Sequence, residues 1–316
     1  MTAQAPARQP SVRLPRPGRL AGFRRSDGPW ILLFLAPWIV GVIIFTAGPM
    51  LASLVLSFMD FGGFRAPEFI GLENYQRMAT DPKVASSLGA TVFYTALSVP
   101  LSMLIALGLA TLLNQVGRAA GFFRTVFYLP DMTPAVAVGV IWLFLLNPQA
   151  GLINQALGAL GLPRPGWTTD PDWVKPAIVL ASLWTLGSTT VIYFAALRNV
   201  PRELYEAARI DGAGPWQQFR NITLPFISGA LFFTLIVNTI FSLQVFDVAY
   251  TMFFGAGSPG ISSSARFYSI YLFERAFRDL EFGYASALAW LLFAVILVIT
   301  LLQLRLSRRW VYYEGE

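Results

Sequence analysis

The sequence predicts an all-α polytopic membrane protein with six transmembrane helices. Of its 316 residues, 55% are hydrophobic and 13% are charged, whereas a soluble domain has about a quarter charged residues and under half apolar ones. The chain also contains six apolar runs long enough to cross the hydrocarbon core, which takes about 20 helical residues at about 1.5 Å each. The composition and the runs together indicate one membrane domain rather than two soluble domains.

The six runs follow one another along the chain and are separated by polar loops. They are Trp30 to Phe58, Ala90 to Leu113, Thr125 to Leu146, Val174 to Leu197, Phe226 to Phe254 and Tyr284 to Leu304. The third run contains Pro130 and Pro134, and proline removes a backbone donor from a helix. We therefore expect an interruption between these prolines, with its irregular backbone buried in protein or lining a cavity.

Arginine and lysine are distributed unevenly between the two sides of the predicted membrane. Fifteen of the 23 lie on the side of the chain termini, seven lie on the other side, and Lys175 lies at the edge of the fourth run on that second side. The first group comprises Arg8, Arg13, Arg16, Arg19, Arg24, Arg25, Arg118, Arg124, Arg198, Arg202, Arg209, Arg220, Arg305, Arg308 and Arg309. Since basic residues accumulate on the cytoplasmic side, both termini are predicted to be cytoplasmic.

Residues 1–29 form a basic tail rich in proline and arginine, which we predict to be disordered. The tail does not have the pattern of a cleaved signal, because the apolar run behind it is too long and no small-residue cleavage site follows. Residues 30–316 are predicted to form the transmembrane domain.

Several kinds of chemistry are missing from the composition. The chain has no cysteine and no histidine, which excludes disulfides, thiol catalysis and the usual transition-metal sites. A phosphate-binding loop requires glycine before a lysine that precedes serine or threonine. The only lysines, Lys83 and Lys175, follow Pro82 and Val174, so we expect any ATP that drives this protein to bind to another chain.

The loop 198–225 has the pattern of a helix–turn–helix. Pro201 suits the first helical position, and Glu203 in the first turn complements the helix dipole. Gly212 and Gly214 favour a helix end, and Pro215 opens a second short helix. Apolar side chains on this loop favour contact with a partner, although the same spacing is compatible with a solvated charged loop; they are Leu204, Tyr205, Ala208 and Ile210.

The same loop resembles that of permease subunits in binding-protein-dependent ABC importers. The residues that carry the resemblance are Glu206, Ala207, Ala208, Asp211, Gly212, Ala213, Phe219, Ile222, Leu224 and Pro225. Further matches, such as Phe69 to Tyr75 and Gly283 to Ala287, extend it along nearly the whole chain after the tail. The sequence is similar to the carbohydrate-uptake branch, and to the first permease of maltose and glycerol-phosphate systems.

This resemblance implies a cytoplasmic coupling helix between the fourth and fifth transmembrane helices. It also implies a second homologous permease subunit, two cytoplasmic ATPase subunits and an extracytoplasmic sugar-binding protein as partners, in a bacterial or archaeal cytoplasmic membrane. The chain would form half of the translocation pathway for a sugar or sugar-like solute. ATP and magnesium would bind to the ATPase, and no cofactor to this chain.

Polar side chains inside the spans are costly and usually face a cavity or the bundle interior. In the fifth run they are Asn238, Ser242, Gln244, Asp247 and Tyr250. Such groups suit a sugar path, but they also form hydrogen bonds between helices, and both roles remain open. In the fourth run, the polar and aromatic residues are more typical of packing; they are Trp184, Ser188, Thr189, Thr190 and Tyr193.

Two other classes of function remain to be separated from the importer subunit. An ion-coupled carrier places ionisable groups at mid-bilayer, and Asp131 and Asp247 are the only charges well inside the spans. A membrane enzyme would require paired carboxylates, a metal cluster or a nucleophile motif, and none stands out. A stable complex with an ATPase would separate the importer from both.

Overall fold

The computed structural model describes residues 28–255 and 264–307. Most of the basic tail, for which disorder was predicted, lies outside the described residues, as do Arg308 and Arg309. Internal contacts divide the chain into two units, residues 1–53 and residues 54–316.

The first apolar run is helical from its start, and the first helix begins at Gly28, slightly before the predicted start. Helix α1 spans Gly28–Val42, a wider π-helical turn spans Ile43–Ala47, and helix α2 spans Gly48–Leu56. Residues Trp30–Leu56 form one apolar stretch of 27 residues, which is long enough to cross a membrane. The stretch corresponds to the first predicted run.

A short hairpin and a helix follow in the second unit. Strands β1 (Met59–Asp60) and β2 (Glu68–Phe69) pair antiparallel, and α3 spans Glu73–Thr80. The buried Asn74 side chain donates hydrogen bonds of 3.0 Å to the carbonyls of Ser57 and Met59. These bonds hold α3 against the residues that end the first span.

Helix α4 spans Pro82–Gln115 and is 34 residues long, so it begins a full two turns before the predicted Ala90. The cause is local, because the Asp81 side chain accepts a 2.9 Å hydrogen bond from the Lys83 amide and Pro82 occupies the first helical position. These are strong helix-start signals. Helix α8 starts in the same way, with Asp170 as its cap.

The third and fourth runs are each broken. Helix α5 (Ala120–Tyr128), a 3₁₀ turn (Leu129–Met132) and α6 (Ala135–Leu145) form a pair bent by 97°, which confirms the expected interruption. Helix α7 spans Leu152–Ala159. Helices α8 (Pro171–Ser182) and α9 (Gly187–Arg198) are bent by 50°, a break that the sequence did not predict.

The remaining helices lie in the loop 198–225 and in the last two runs. Their bounds are α10 Arg202–Ile210, α11 Pro215–Gln218, α12 Leu224–Phe226, α13 Ser228–Leu243, α14 Asp247–Tyr250, α15 Tyr268–Phe273 and α16 Phe282–Ser307. Wider π-helical turns follow α11, α14 and α15. Within the described residues, four helical stretches can cross a membrane singly, and the two bent pairs raise the number to as many as six.

Helix α4 packs along α9 and α13 in the second unit. Ala106 and Ala110 of α4 are fully buried against Tyr193 and Phe194 of α9, and small residues allow helices to approach closely in membranes. The Tyr193 hydroxyl lies 2.6 Å from the Thr234 hydroxyl of α13. Thr190 and Tyr193 are therefore packing residues, as their positions in the fourth run suggested.

Candidate functional site

A cavity of about 440 Å³ lies among α4, α8, α9 and α13. Its polar lining comprises Tyr94, Ser98 and Ser102 on α4, Asp131 before α6, Ser182 on α8, Thr185 between α8 and α9, Ser188 and Thr189 on α9, and Thr234, Asn238 and Ser242 on α13. The α4 residues recur at every fourth position, which places them on one helix face. The cavity wall is therefore rich in hydroxyl and amide groups, while its remaining lining is mostly apolar.

Asp131 lines this cavity and caps the N-terminus of α9. Its two carboxylate oxygens accept hydrogen bonds from the amides of Gly187, at 3.2 Å, and Ser188, at 2.5 Å. The N-terminus of a helix stabilises negative charge. Asp131 therefore joins the break in the third span to the break in the fourth.

The close approach of these two breaks requires glycine at position 187. A Cβ atom there would lie 2.4 Å from the Phe127 carbonyl oxygen and 2.7 Å from the Tyr128 Cα. Both neighbours are backbone atoms of α5, which have little freedom to move. The geometry of the cavity wall at Ser188 thus depends on the absence of a side chain one residue earlier.

A second cavity of about 550 Å³ adjoins the first and shares with it Tyr94, Asp131, Ser182, Thr185, Phe241 and Val245. It extends the space towards Thr133, Ala135 and Val138 at the bend before α6. The interrupted backbone of the third span thus lines a cavity, as expected for irregular structure at membrane depth.

The five predicted path residues of the fifth run fall into two groups. Asn238 and Ser242 line the first cavity, and the Asn238 amide lies 3.5 Å from the Thr189 hydroxyl. Gln244, Asp247 and Tyr250 are not part of its lining. The helical periodicity that relates these positions ends at Leu243, where α13 stops and the chain turns before α14.

Each residue of the second group has a different environment. The exposed Gln244 amide donates a 3.1 Å hydrogen bond to the Ile240 carbonyl. Asp247 is exposed in the first turn of α14. Tyr250 stacks between Phe246 and Phe254, with ring centroids 5.0 and 5.8 Å away. An ion-coupled carrier would place a buried, uncompensated charge in the spans. Asp247 is exposed, and the charge of Asp131 is compensated by two backbone amides, so neither residue favours that carrier.

The loop 198–225 forms the predicted helix–turn–helix. Helix α10 ends in a Schellman motif, in which the Ala213 amide bonds the Ala208 carbonyl at 2.8 Å and the Gly212 amide bonds the Arg209 carbonyl at 3.1 Å. This motif requires a left-handed residue, and Gly212 has φ +78°. The turn is therefore specified by local sequence.

Further contacts brace the two helices against each other. The Tyr205 and Thr223 hydroxyls are 2.8 Å apart, and the Gln218 side chain donates a 2.8 Å bond to the Ala213 carbonyl. Trp216 and Phe219 stack with centroids 5.7 Å apart. We call residues 202–226 the braced loop; Leu224 and Pro225 open its last short helix, α12, directly before α13.

The braced loop presents one ridge outward. Tyr205 and Ala208 are half-buried, and every other residue of α10 is exposed. Among the exposed residues, Glu203, Glu206, Ala207 and Ile210 share one helix face. Ile210 is 88% exposed. Asp211 and Gly212 continue the exposed surface, and Ala213 is half-buried. The large apolar side chains exposed on this loop are Leu204, Ile210 and Trp216.

A polar cavity between broken helices of a polytopic helical protein is typical of membrane transport proteins. Comparison with known proteins identifies the family. The chain belongs to the family of binding-protein-dependent transport system inner membrane components, whose family model matches residues 98–312.

Curated relatives and solved structures agree with this assignment. The probable ABC transporter permease protein YesP of Bacillus subtilis is 38% identical over 295 residues, 92% of this chain and 94% of the relative. The lactose transport system permease protein LacF of Rhizobium radiobacter is 35% identical over 281 residues, covering 87% and 93%. A crystal structure of a bacterial alginate ABC transporter, in complex with an alginate pentasaccharide-bound periplasmic protein, contains a chain with TM-score 0.77 and 25% identity, covering 90% and 96%.

This chain is therefore a multi-pass membrane permease component of an ABC importer, and it is a transport subunit rather than an enzyme. Sequence reasoning had not singled out the cavity residues Ser98, Ser102, Ser182 and Thr185, and it had assigned Ser188 and Thr189 to packing. The available signal was the recurrence of Tyr94, Ser98 and Ser102 at every fourth position of α4, although α4 also carries polar residues at other positions.

Proposed function

We propose that this chain forms half of the membrane pathway for a sugar or sugar-like solute, in an importer driven by ATP hydrolysis on a partner subunit. The observation that carries this proposal is the cavity of about 440 Å³ lined by hydroxyl and amide groups. Such groups exchange hydrogen bonds with sugar hydroxyls, and the volume lies within the usual range for small-molecule sites, about 300–1,000 Å³.

The substrates named for similar proteins support a carbohydrate. LacF is described as part of a lactose transport system, and the structurally similar chain belongs to an alginate transporter. In this proposal Asn238 and Ser242 contact the solute from α13, opposite the hydroxyl row of α4. Gln244, Asp247 and Tyr250 lie further along the same span and are assigned to its end rather than to the cavity.

The proposed arrangement in the membrane has six spans and two cytoplasmic termini. Each of the six predicted runs corresponds to a long apolar helix or to a bent pair, and the uneven distribution of arginine supports this orientation. The braced loop then lies on the cytoplasmic face between the fourth and fifth spans. The membrane is the cytoplasmic membrane of a bacterium or archaeon.

In the same proposal the braced loop couples the pathway to the ATPase. The exposed ridge at Glu206, Ala207 and Ile210 enters a groove of the ATPase, while Tyr205 and Ala208 hold the ridge against its own chain. The internal hydrogen bonds make α10 and α11 move as one body, so closure of the ATPase is passed through Leu224 and Pro225 to α13.

The complete importer in this proposal contains four kinds of component. They are this chain, a second homologous permease, two ATPase subunits and an extracytoplasmic binding protein. ATP and magnesium bind to the ATPase, and this chain carries no cofactor.

The test is recovery of the tagged chain from native membranes in mild detergent, followed by mass spectrometry of the proteins that come with it. We expect an ATPase and a second permease. Reconstituted with the binding protein, the complex should hydrolyse ATP faster when the correct sugar is present. Recovery of the chain alone, under conditions that keep a known importer of the same membrane intact, would contradict the proposal.

A further inference from the structure

The starts of α4 and α8 meet at a third cavity, which is positively charged. Its volume is about 490 Å³, and its lining includes Lys83, Lys175 and Arg266, together with the hydroxyl residues Ser86 and Ser264. The two lysines are the only lysines of the chain. We call this cavity the basic pocket.

The charges of the basic pocket are incompletely compensated. Arg266 pairs with Glu274 at 2.9 Å, but Glu274 is also shared with Arg278 at 3.6 Å. Within the part of the chain that the structure describes, neither Lys83 nor Lys175 forms an ion pair. The half-buried Lys175 has its ammonium group 5.3 Å from the centre of the Phe93 ring.

Two carboxylates lie near these lysines in the chain. Asp172, three residues before Lys175 on α8, is exposed and forms no ion pair with it among the described residues, and Asp81 is occupied elsewhere. Asp81 precedes Lys83, and its side chain accepts hydrogen bonds from the Lys83 amide and from the hydroxyls of Tyr271 and Tyr284. Arg275 in turn donates to the Tyr271 hydroxyl at 2.9 Å. Asp81 is therefore committed to this network, while both lysines line the basic pocket without an ion pair among the described residues.

We propose that the basic pocket binds an oxyanion, namely a carboxylate, sulfonate or phosphate group. Ammonium groups form charge-assisted hydrogen bonds with such oxygens, which are about twice as strong as neutral ones. Ser264 adds a hydroxyl group to the lining, whereas the Ser86 hydroxyl already donates to the Lys83 carbonyl at 3.2 Å. The N-termini of α4 and α8 are capped by Asp81 and Asp170, so the attraction for an oxyanion rests on the three cations.

Two sources could supply this group, a dissolved solute or the phosphate of a lipid headgroup. The basic pocket and the hydroxyl-lined cavity lie along the same faces of two helices. On α4, Lys83, Ser86 and Ala90 line the pocket, and Tyr94, one turn further along, lines the cavity. On α8, Lys175 lines the pocket, and Ser182, two turns further along, lines the cavity. The helical rise from Lys83 to Tyr94 is about 16 Å. A solute source rests on the proposed transport function, and it makes the transported sugar an acidic one.

The experiment measures equilibrium binding to the full chain in phosphatidylcholine nanodiscs. The probes are D-glucuronate and D-glucose, which differ in charge at C6. We expect glucuronate to bind at least about tenfold more tightly, and to weaken as ionic strength rises. The double variant Lys83→Gln/Lys175→Gln should lose this preference and leave glucose binding unchanged.

Two further variants separate charge from structure. Lys83→Arg/Lys175→Arg keeps both charges and should retain most of the glucuronate preference. Arg65→Gln removes an exposed cation that is not part of the pocket lining, and it should bind both probes like the unaltered chain. Size-exclusion profiles check that each variant is folded.

A lipid arm distinguishes the two sources. Nanodiscs containing phosphatidylglycerol are analysed by native mass spectrometry for lipid retained by the chain. Retention that the glutamine variant loses, without any glucuronate preference, identifies a headgroup site. If the glutamine variant binds both glucuronate and phosphatidylglycerol as the unaltered chain does, the oxyanion proposal is wrong. That result leaves the transport function untouched, because recovery of the ATPase and sugar-stimulated hydrolysis test the latter independently.

Discussion

At the scale of single residues, the acidic side chains show how position decides the role of a charge. Asp131 lies in the broken third span, yet both of its oxygens receive backbone amides from the start of α9. Asp81 lies at the start of α4 and receives two tyrosine hydroxyls. In each case the carboxylate joins elements that are far apart in the chain.

Asp131→Ala is expected to destabilise the chain, because it leaves two amides of α9 without their acceptor. The loss should be about 0.5–2 kcal/mol, as for removal of a helix-capping side chain. Thermal unfolding of the detergent-solubilised chain measures it. Asp247→Ala is the control, since Asp247 is exposed at the start of a short helix, and its effect should be much smaller. Equal effects of the two variants would show that the capping bonds carry no stability.

The pKa of Asp81 predicts a pH dependence. Burial alone would raise this pKa, but hydrogen bonds from Tyr271, the Lys83 amide and Tyr284, together with the charge of Arg275, bring it below its ordinary value of 3.8. A carboxylate whose folded pKa is lowered contributes stability above its unfolded pKa, and this stability is lost as the pH falls through the folded value.

The stability difference between the unaltered chain and Asp81→Asn should therefore be largest near neutral pH and shrink below about pH 4, given an unfolded pKa of about 3.9 for aspartate. Thermal unfolding at a series of pH values from neutral to acidic measures it. The variant keeps a helix-capping side chain, so the cap itself is preserved. A difference independent of pH would show that the ionised form has no special role.

At the scale of elements, the braced loop is the part whose shape is most clearly specified by its own residues. Gly212 supplies the left-handed turn, Gln217 and Gln218 bond the turn backbone, and Tyr205 holds α10 to Thr223. These bonds explain how α10, a short helix with no buried residue, keeps a fixed position relative to the rest of the loop.

Glu206→Lys is expected to abolish sugar-stimulated ATP hydrolysis while membrane insertion remains intact. The side chain lies on the exposed ridge, so its reversal alters the surface proposed to meet the ATPase without disturbing the bonds that brace the loop. The measurements are ATPase activity of the reconstituted complex and recovery of the ATPase with the tagged chain. Glu68→Lys, an equivalent reversal at the exposed strand β2, is the control. Normal transport by the Glu206 variant would exclude this coupling role.

At the scale of the whole membrane unit 54–316, the cavities follow from broken helices. The third span bends by 97° and the fourth by 50°, and the two breaks contact each other at Asp131 and Gly187. Tyr94, Ser98 and Ser102 of α4 line the adjoining space. A continuous bundle of straight helices would close this space by side-chain packing.

Ser188→Trp is expected to reduce sugar-stimulated ATP hydrolysis and uptake by at least about tenfold, because an indole fills much of a site whose volume is close to the lower end for small-molecule pockets. Ser188 lines the cavity and is exposed within it, so the fold should tolerate the change. Leu104→Trp, at a position 67% exposed on α4, is the control. Full uptake by the Ser188 variant would place the solute path elsewhere.

Much of the architecture could be predicted from local sequence. The apolar runs correspond to helices, Pro130 and Pro134 flank a real break, and the braced loop has the predicted two helices and turn. The bend between α8 and α9 was missed because no proline marks it. Its geometry depends on Gly187 lying against α5 and on Asp131, which are contacts at a distance.

The site was predicted only where the helix is regular. Asn238 and Ser242 share a face of α13 and reach the cavity, whereas Gln244 follows the last helical residue and turns away. The hydroxyl groups of α4 and α8 were not selected, because serine in a membrane helix is equally common in packing.

The sequence by itself determined that this protein is a helical membrane permease with a helix–turn–helix in its loop 198–225. Hydropathy, caps and turn residues act over a few neighbouring positions, and in lipid every backbone group must be satisfied within the helix. Only the tertiary structure decided which polar residues share a cavity, what Asp131 caps, and that Lys83 and Lys175 face the same pocket. These facts depend on how separate helices bend and pack, and no local pattern specifies that.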